Sequence, residues 1–314
     1  MTTSTLPNDL RPGEDARSSH QARRHARRTS RSVNLALVPA AVMLLAFFGA
    51  PLVQLARTSL STWIGIGDMT FTGLDNYREV LASEDFYHSL LASVTLGVGT
   101  AVGITVIAVV LAALVSSSMR GSNVYRVLWF LPAIAPPAAV AVFWGLSFQP
   151  RTGLLNSILG GLGLGDSHAW LASPRQALYA VMAVAIWQGV GFAFLILLGA
   201  VEEVPVSVYE AAALDGASST RVFFAMTLPM IRPVLSMVAL LEVIWAFNAF
   251  TLVWALTTGG PGDSTAILPV LVYKEAFQFG NFGPAAAISV LGGAVLLVLG
   301  VLGQRLGGQK AVDA

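Results

Sequence analysis

Four side chains with hydrogen-bonding or stacking capacity lie within long apolar runs: Gln188, Glu242, Trp245 and Asn248. Polar groups in such runs are costly in a membrane and normally face a pathway or a partner helix. A carboxylate accepts hydrogen bonds, and an amide both accepts and donates. An indole face stacks on C–H surfaces. Together these groups suit a solute rich in hydroxyls. Each also has a structural alternative. Glu242 can be protonated or bonded to a partner helix as readily as line a path, and Gln188 and Asn248 serve equally well as links between helices. Glu242 and Asn248 are six residues apart, roughly 1.7 helical turns, so on one continuous helix they do not share a stripe. Trp245, three residues after Glu242, shares its face.

Other chemistry is missing. The chain has no cysteine, and its four histidines, His20, His25, His88 and His168, have no metal-ligand spacing. No metal site is expected. There is no phosphate-binding G-x-x-x-x-G-K-[ST] loop, no G-x-S-x-G elbow and no H-E-x-x-H. The chain is therefore expected not to be an enzyme. Energy for uphill transport would come from an ion gradient or from another subunit.

The frame that holds these groups is read from hydrophobicity. Of 314 residues, 55% are hydrophobic and 11% charged, well below the roughly 25% charged of a soluble domain. Six apolar runs are long enough to cross about 30 Å of hydrocarbon: 35–56, 90–115, 127–148, 177–200, 234–256 and 284–302. The fold class is all-α, a polytopic membrane protein. Pro132, Pro136 and Pro137 are expected to kink the third span. Lys and Arg set the orientation. With the N-terminus inside, inner segments carry thirteen, seven of them in the tail, against five outside. Both termini and the 201–233 loop are thus expected in the cytoplasm of a bacterial cell, at its inner membrane. The organisation reads as an arginine-rich disordered tail (1–33), a six-helix permease domain (34–305) and a short cytoplasmic tail (306–314). The first tail has no interleaved aromatics, so nucleic acid is not expected as a partner, whereas anionic lipid heads are.

Three outer segments are longer than turns. The first contains Leu74, Tyr77, Val80 and Leu81 at helical spacing and predicts a short amphipathic helix. The second holds a GLLN run at Gly153–Asn156, and the third begins TTGGPGDST, a breaker cluster at Thr257–Thr265.

The stretch Glu210–Pro233 lies in the loop at the inner end. Glu210–Leu214 favours a slim helix, Asp215-Gly216 breaks it, and Ser218–Thr227 predicts a second helix with Val222, Phe223 and Met226 on one side. Pro229 and Pro233 are expected to stop that helix. Its apolar surface requires a cover.

This pattern resembles the EAA loop of ABC importer permeases: Glu210-Ala211-Ala212, three residues, Gly216, nine residues, Met226, one residue, Leu228-Pro229. Methionine replaces the usual isoleucine, a change that conserves volume. FTGLDNY at Phe71–Tyr77, the proline run of the third span and the T-x-G-G-P segment are similar to the carbohydrate-uptake class of the same family, over residues 35–303. The resemblance implies a type I ABC importer permease fold and alternating access. It implies a second homologous permease, two copies of a cytoplasmic ABC ATPase that binds ATP and Mg, and an extracytoplasmic solute-binding protein. No cofactor is expected in this chain. Glu210, Ala211, Ala212, Asp215, Gly216, Leu228 and Pro229 would form the ATPase-coupling element, and Gly259, Gly260 and Pro261 would belong to the docking face. The solute would be a sugar or oligosaccharide. The alternatives are glycerol phosphate or a polyamine in the same machinery, an ion-coupled carrier using Glu242, and a membrane scaffold that transports nothing.

Overall fold

The computed structural model describes residues 38–115, 121–165 and 167–307. The seven tail arginines, Arg120 and Lys310 lie outside the described residues. The chain forms two units, Met1–Arg57 and Thr58–Ala314. In the first, helix α1 begins at Val38 and runs on to Ser59. It is apolar up to Arg57 except for Gln54, with Phe47 69% and Leu45 69% exposed. A helix that is hydrophobic all round is stable only in an apolar surround.

The second unit is built on two long helices, α3 (Glu84–Leu114) and α7 (Ala177–Glu202), named after a short α2 (Asp75–Ala82) and the broken pair α4 (Ser122–Ile134) and α5 (Pro137–Ser147), with α6 (Leu154–Gly161) before α7. The 31 residues of α3 measure about 46 Å, longer than a bilayer core. It is the hub, packing along α7 and along α10 (Arg232–Phe247). Ile104, Ala108 and Ala112 of α3 interlock with Val190, Ala193, Phe194 and Leu197 of α7 and with Val238 of α10. Small residues let these backbones approach closely. On another face of α7, at Gly191, any β-carbon would collide with the carbonyl of Trp129 on α4.

Two expected spans are broken. The third bends by 94° between α4 and α5. Ala135 and Pro136 each precede a proline, and both are extended, with ψ 134° and 137°. A residue before proline is pushed out of the helical region, so two in succession turn the expected kink into a near right angle. The fifth, expected to be continuous over 234–256, instead stops at Phe247 and resumes as α11 (Phe250–Thr257). Asn248 turns its side-chain Nδ2 back onto the carbonyl of Ile244 at 2.9 Å, which closes the helix end. Among the described residues, four helices are long and apolar enough to cross a membrane, or up to six if Ser122–Ile134 with Pro137–Ser147, and Ser219–Met230 with Arg232–Phe247, each count as one span.

The segment after the TTGGP cluster is not a surface loop. The short helix α12 (Leu268–Tyr273) buries Leu268, Val270 and Leu271. Its first N–H donates to Ser93 Oγ on α3 at 2.7 Å. It packs against α13 (Phe282–Gly307). The apolar run ILPVLV is too short to span, so it serves as core instead.

The same end is closed by buried asparagines. Asn76 of α2 donates to the carbonyls of Ser59 and Ser61 at 2.9 and 3.0 Å, next to a two-residue hairpin that pairs Ser61 with Phe71. α2 forms as expected but buries Asn76 and Val80, while Leu74 and Leu81 face outward. Asn156 of α6, wholly buried, donates to the carbonyls of Gln149 and His168 and accepts from Trp170 Nε1 at 3.0 Å.

Candidate functional site

At the opposite end, after α7, residues 206–230 form a helical hairpin. Its first arm is α8 (Val206–Leu214). Gly216 follows at φ +68°. Its N–H bonds the carbonyl of Ala213 (3.1 Å) and the N–H of Ala217 bonds that of Ala212 (3.0 Å). This paired closure is the Schellman arrangement, which requires a left-handed residue, usually glycine. The second arm, α9 (Ser219–Met230), starts with Ser218 Oγ accepting from the N–H of Arg221 at 3.4 Å and contains a π-turn at Phe223–Thr227. Tyr209 and Thr227 hydroxyls meet across the arms at 3.3 Å.

Pro229 does not stop the second arm, as the sequence predicts it should. It lies within the helical run, just past the π-turn, where the hydrogen-bond ladder changes register and a missing N–H costs least. The break falls at Ile231, with a 72° bend into α10, and Pro233 sits in the first turn of α10, where proline is tolerated. Glu210, Ala211, Asp215, Gly216 and Pro229 are exposed and Leu228 half-buried. Ala212 is the exception: it is only 1% exposed and belongs to the hairpin's interior instead of its contact face. Leu214, 90% exposed, is the most exposed of the large apolar groups at its surface, which also include Val206, Phe224, Met226 and Met230.

Halfway along α3 and α7 lies a cavity of about 410 Å³. Gln188, Glu242, Trp245 and Asn248 all line it. Glu242 and Asn248 share it although their spacing forbids a common stripe: the cavity spans a wide arc of α10 and its end, taking in Trp245, Ala246 and Ala249 as well. Both span breaks border it, through Ala133 and Pro137 on one side and Asn248 and Ala249 on the other. Irregular backbone at membrane depth is tolerated only where protein or a water-filled cavity receives its polar groups. Gln188 receives one of them, since its Nε2 donates to the carbonyl of Ala135 at 2.9 Å. Glu242 is 4% exposed, and its Oε1 has no hydrogen-bond partner among the described residues. Trp245 is half exposed and its ring stands 5.2 Å from that of Phe192. Thr100, Phe130, Phe192 and Thr251 also line the cavity, unforeseen from sequence. Phe192 lies one turn beyond Gln188, and that spacing was the available signal.

In the TTGGP cluster, Thr257 and Thr265 hydroxyls meet at 2.6 Å and Thr265 also donates to the carbonyl of Gly260. Gly259 is buried, Gly260 and Pro261 are half-buried, and the exposed tip is Gly262 and Asp263. Lys274 reaches back to pair with Asp263.

Apolar helices broken at mid-depth around a polar cavity, joined to an exposed helical hairpin at one end, define a membrane permease. Comparison with known proteins narrows the class. Residues 104–308 match the family described as binding-protein-dependent transport system inner membrane component, and this chain belongs to that family. It is 34% identical to the diacetylchitobiose uptake system permease protein NgcF of Streptomyces coelicolor, over 84% of this chain and 78% of that one. It is 35% identical to the sn-glycerol-3-phosphate transport system permease protein UgpA of Yersinia enterocolitica, over 74% of this chain and 77% of that one. Its fold matches a chain of the bacterial alginate ABC transporter, crystallised with an alginate pentasaccharide-bound periplasmic protein, with a TM-score of 0.78, at 19% identity over 91% of this chain and 97% of that one. The type I ABC importer permease fold expected from the sequence is the fold observed.

Proposed function

We propose that this chain is one permease subunit of an ATP-driven importer that carries a sugar or oligosaccharide into the cytoplasm by alternating access. The observation that carries this reading is the mid-depth cavity, where both span breaks and all four polar or aromatic candidates meet. Relatives named for diacetylchitobiose uptake and for sn-glycerol-3-phosphate transport support it. The glycerol phosphate relative keeps an anionic solute as the second reading.

The hairpin at 206–230 is the coupling element, seated in a cleft of a cytoplasmic ABC ATPase present in two copies. ATP and Mg are bound there, and hydrolysis takes place there. A second homologous permease supplies the other half of the path. An extracytoplasmic solute-binding protein docks at the opposite end, around Gly259–Asp263. In this orientation both termini are cytoplasmic, and the hairpin end carries Arg126, Arg221, Arg232 and Arg305, in keeping with the positive-inside rule.

The test is reconstitution of this chain with its co-expressed partners in proteoliposomes. Solute uptake should need ATP and survive an uncoupler. Uptake that persists without ATP and collapses with the proton gradient would instead make Glu242 the site of an ion-coupled carrier.

A further inference from the structure

We infer that the ion pair between Arg126 and Glu202 makes α4 move with α7, so that a displacement of the hairpin reaches the break in the third span. Both are positioning residues, remote from the solute. The inference rests on the coupling role given to the hairpin and names the contact that carries its motion inward.

Glu202 is the last residue of α7, and three residues separate it from the start of α8. That connector is itself tied down. The N–H of Glu203 bonds the carbonyl of Gly199 at 3.1 Å, the N–H of Val204 bonds that of Val201 at 3.3 Å, and Val204 is buried. A hairpin that turns therefore turns the end of α7. Helix α4 has no such direct link to the hairpin along the chain. It meets the end of α7 through Arg126, whose Nη2 donates to Glu202 Oε1 across 76 positions of sequence. The two side chains are 29% and 32% exposed, and Arg126 Nε is buried with no partner among the described residues. Fully exposed pairs contribute little because water competes for both charges. This pair is mostly withdrawn from water, and removing one charge leaves the other partly buried and unpaired.

Two further contacts fix α4 along the same helix. The backbone at Trp129 lies against Gly191, and the carbonyl of Ala135 accepts from Gln188. From Arg126 to Ala135 the partners on α7 run from Glu202 back to Gln188, as antiparallel neighbours must. The contact at Gly191 alone would be a pivot. Glu202 lies eleven residues beyond it, about 16 Å along the helix. A bond at that distance from a pivot resists swinging far better than one beside it. Held at three points, α4 follows α7, and Ala133 at the edge of the cavity follows the hairpin.

The test uses the complete transporter in proteoliposomes and reads solute imported per ATP hydrolysed. Arg126→Gln and Glu202→Gln should each lower that ratio about fivefold, the low end of ordinary coupling energies, while hydrolysis continues. Arg126→Glu combined with Glu202→Arg restores opposite charges and should recover the ratio. A pair that only stabilised the fold would lower uptake and hydrolysis in step. That result, or a charge-swapped protein no better than the single variants, overturns the inference and leaves the importer reading intact. No ATP-dependent uptake by the wild type defeats the importer reading and the inference together. A second measurement serves where the charge variants fail to assemble. The chain has no cysteine, so Arg126→Cys with Glu202→Cys, in an otherwise cysteine-free complex, can be joined by a bifunctional thiol reagent with a reducible link. Joining should raise the ratio to the wild-type value, and reduction should lower it again. A joined protein that imports no more per ATP than the reduced one shows that α4 and α7 need not move together, and overturns the inference.

Discussion

The Gln188 amide, from the middle of α7, donates to the carbonyl of Ala135 at 2.9 Å, the residue where the third span breaks. One side chain thus closes the gap in another helix's hydrogen-bond ladder. Replacing Gln188 with methionine, which keeps the length and loses the donor, should cost about 1 kcal/mol, the net value of one hydrogen bond in a site that water can reach. Thermal unfolding of the purified transporter, compared with wild type, measures it. A variant as stable as wild type would mean that water already satisfies Ala135.

Asn156 holds three groups at once in a wholly buried position. Asn156→Ala should cost about 3 kcal/mol, since two carbonyls and an indole N–H lose their partner. Asn156→Asp should be no better, because it turns a carboxylate toward the carbonyls of Gln149 and His168. A change in Trp170 fluorescence reports the loss locally.

Gly216 has φ +68° and nothing within 4 Å of where a β-carbon would stand, so only backbone conformation restricts it. Gly216→Ala should destabilise the hairpin by about 1–2 kcal/mol, and Gly216→Asn by less. Gly216→Pro cannot reach positive φ and also deletes the N–H that bonds Ala213. It should abolish uptake while the protein stays in the membrane. Solute-stimulated ATP hydrolysis at the wild-type level in that variant would end the coupling role of the hairpin.

Ala212 and Leu214 sit two residues apart on α8 with opposite exposures, 1% and 90%. Leu214→Asp should leave the fold and membrane level unchanged and cut solute-stimulated ATPase activity at least tenfold, by placing a charge in an apolar contact. Ala212→Glu should fail differently, through unfolding of the hairpin, because a buried charge without a partner is strongly destabilising. Limited proteolysis at the hairpin separates the two outcomes. Equal protease resistance in both variants would contradict the packing described for Ala212.

Much of this chain is legible one element at a time. The apolar runs mark the spans, and the turn at Asp215-Gly216 has the residue its left-handed backbone requires. The asparagines of FTGLDNY and GLLN were visible as motifs, but not as the buried clamps that Asn76 and Asn156 form. Their partners are carbonyls elsewhere in the chain, and no local pattern names a distant carbonyl.

The sequence by itself determined that the chain is apolar enough to live in a bilayer, which end carries the hairpin, and which four residues there was reason to suspect inside the spans. Those are local properties of composition, turn chemistry and spacing. Only the tertiary structure decided that Glu242 and Asn248 share one cavity, that Ala212 points inward and that Leu268–Tyr273 is core. Periodicity assumes one unbroken helix, and a break at Asn248 or Pro136 changes the phase of everything after it. Burial is then set by which neighbours the altered path meets, a fact that belongs to the packed helices jointly and to none of them alone.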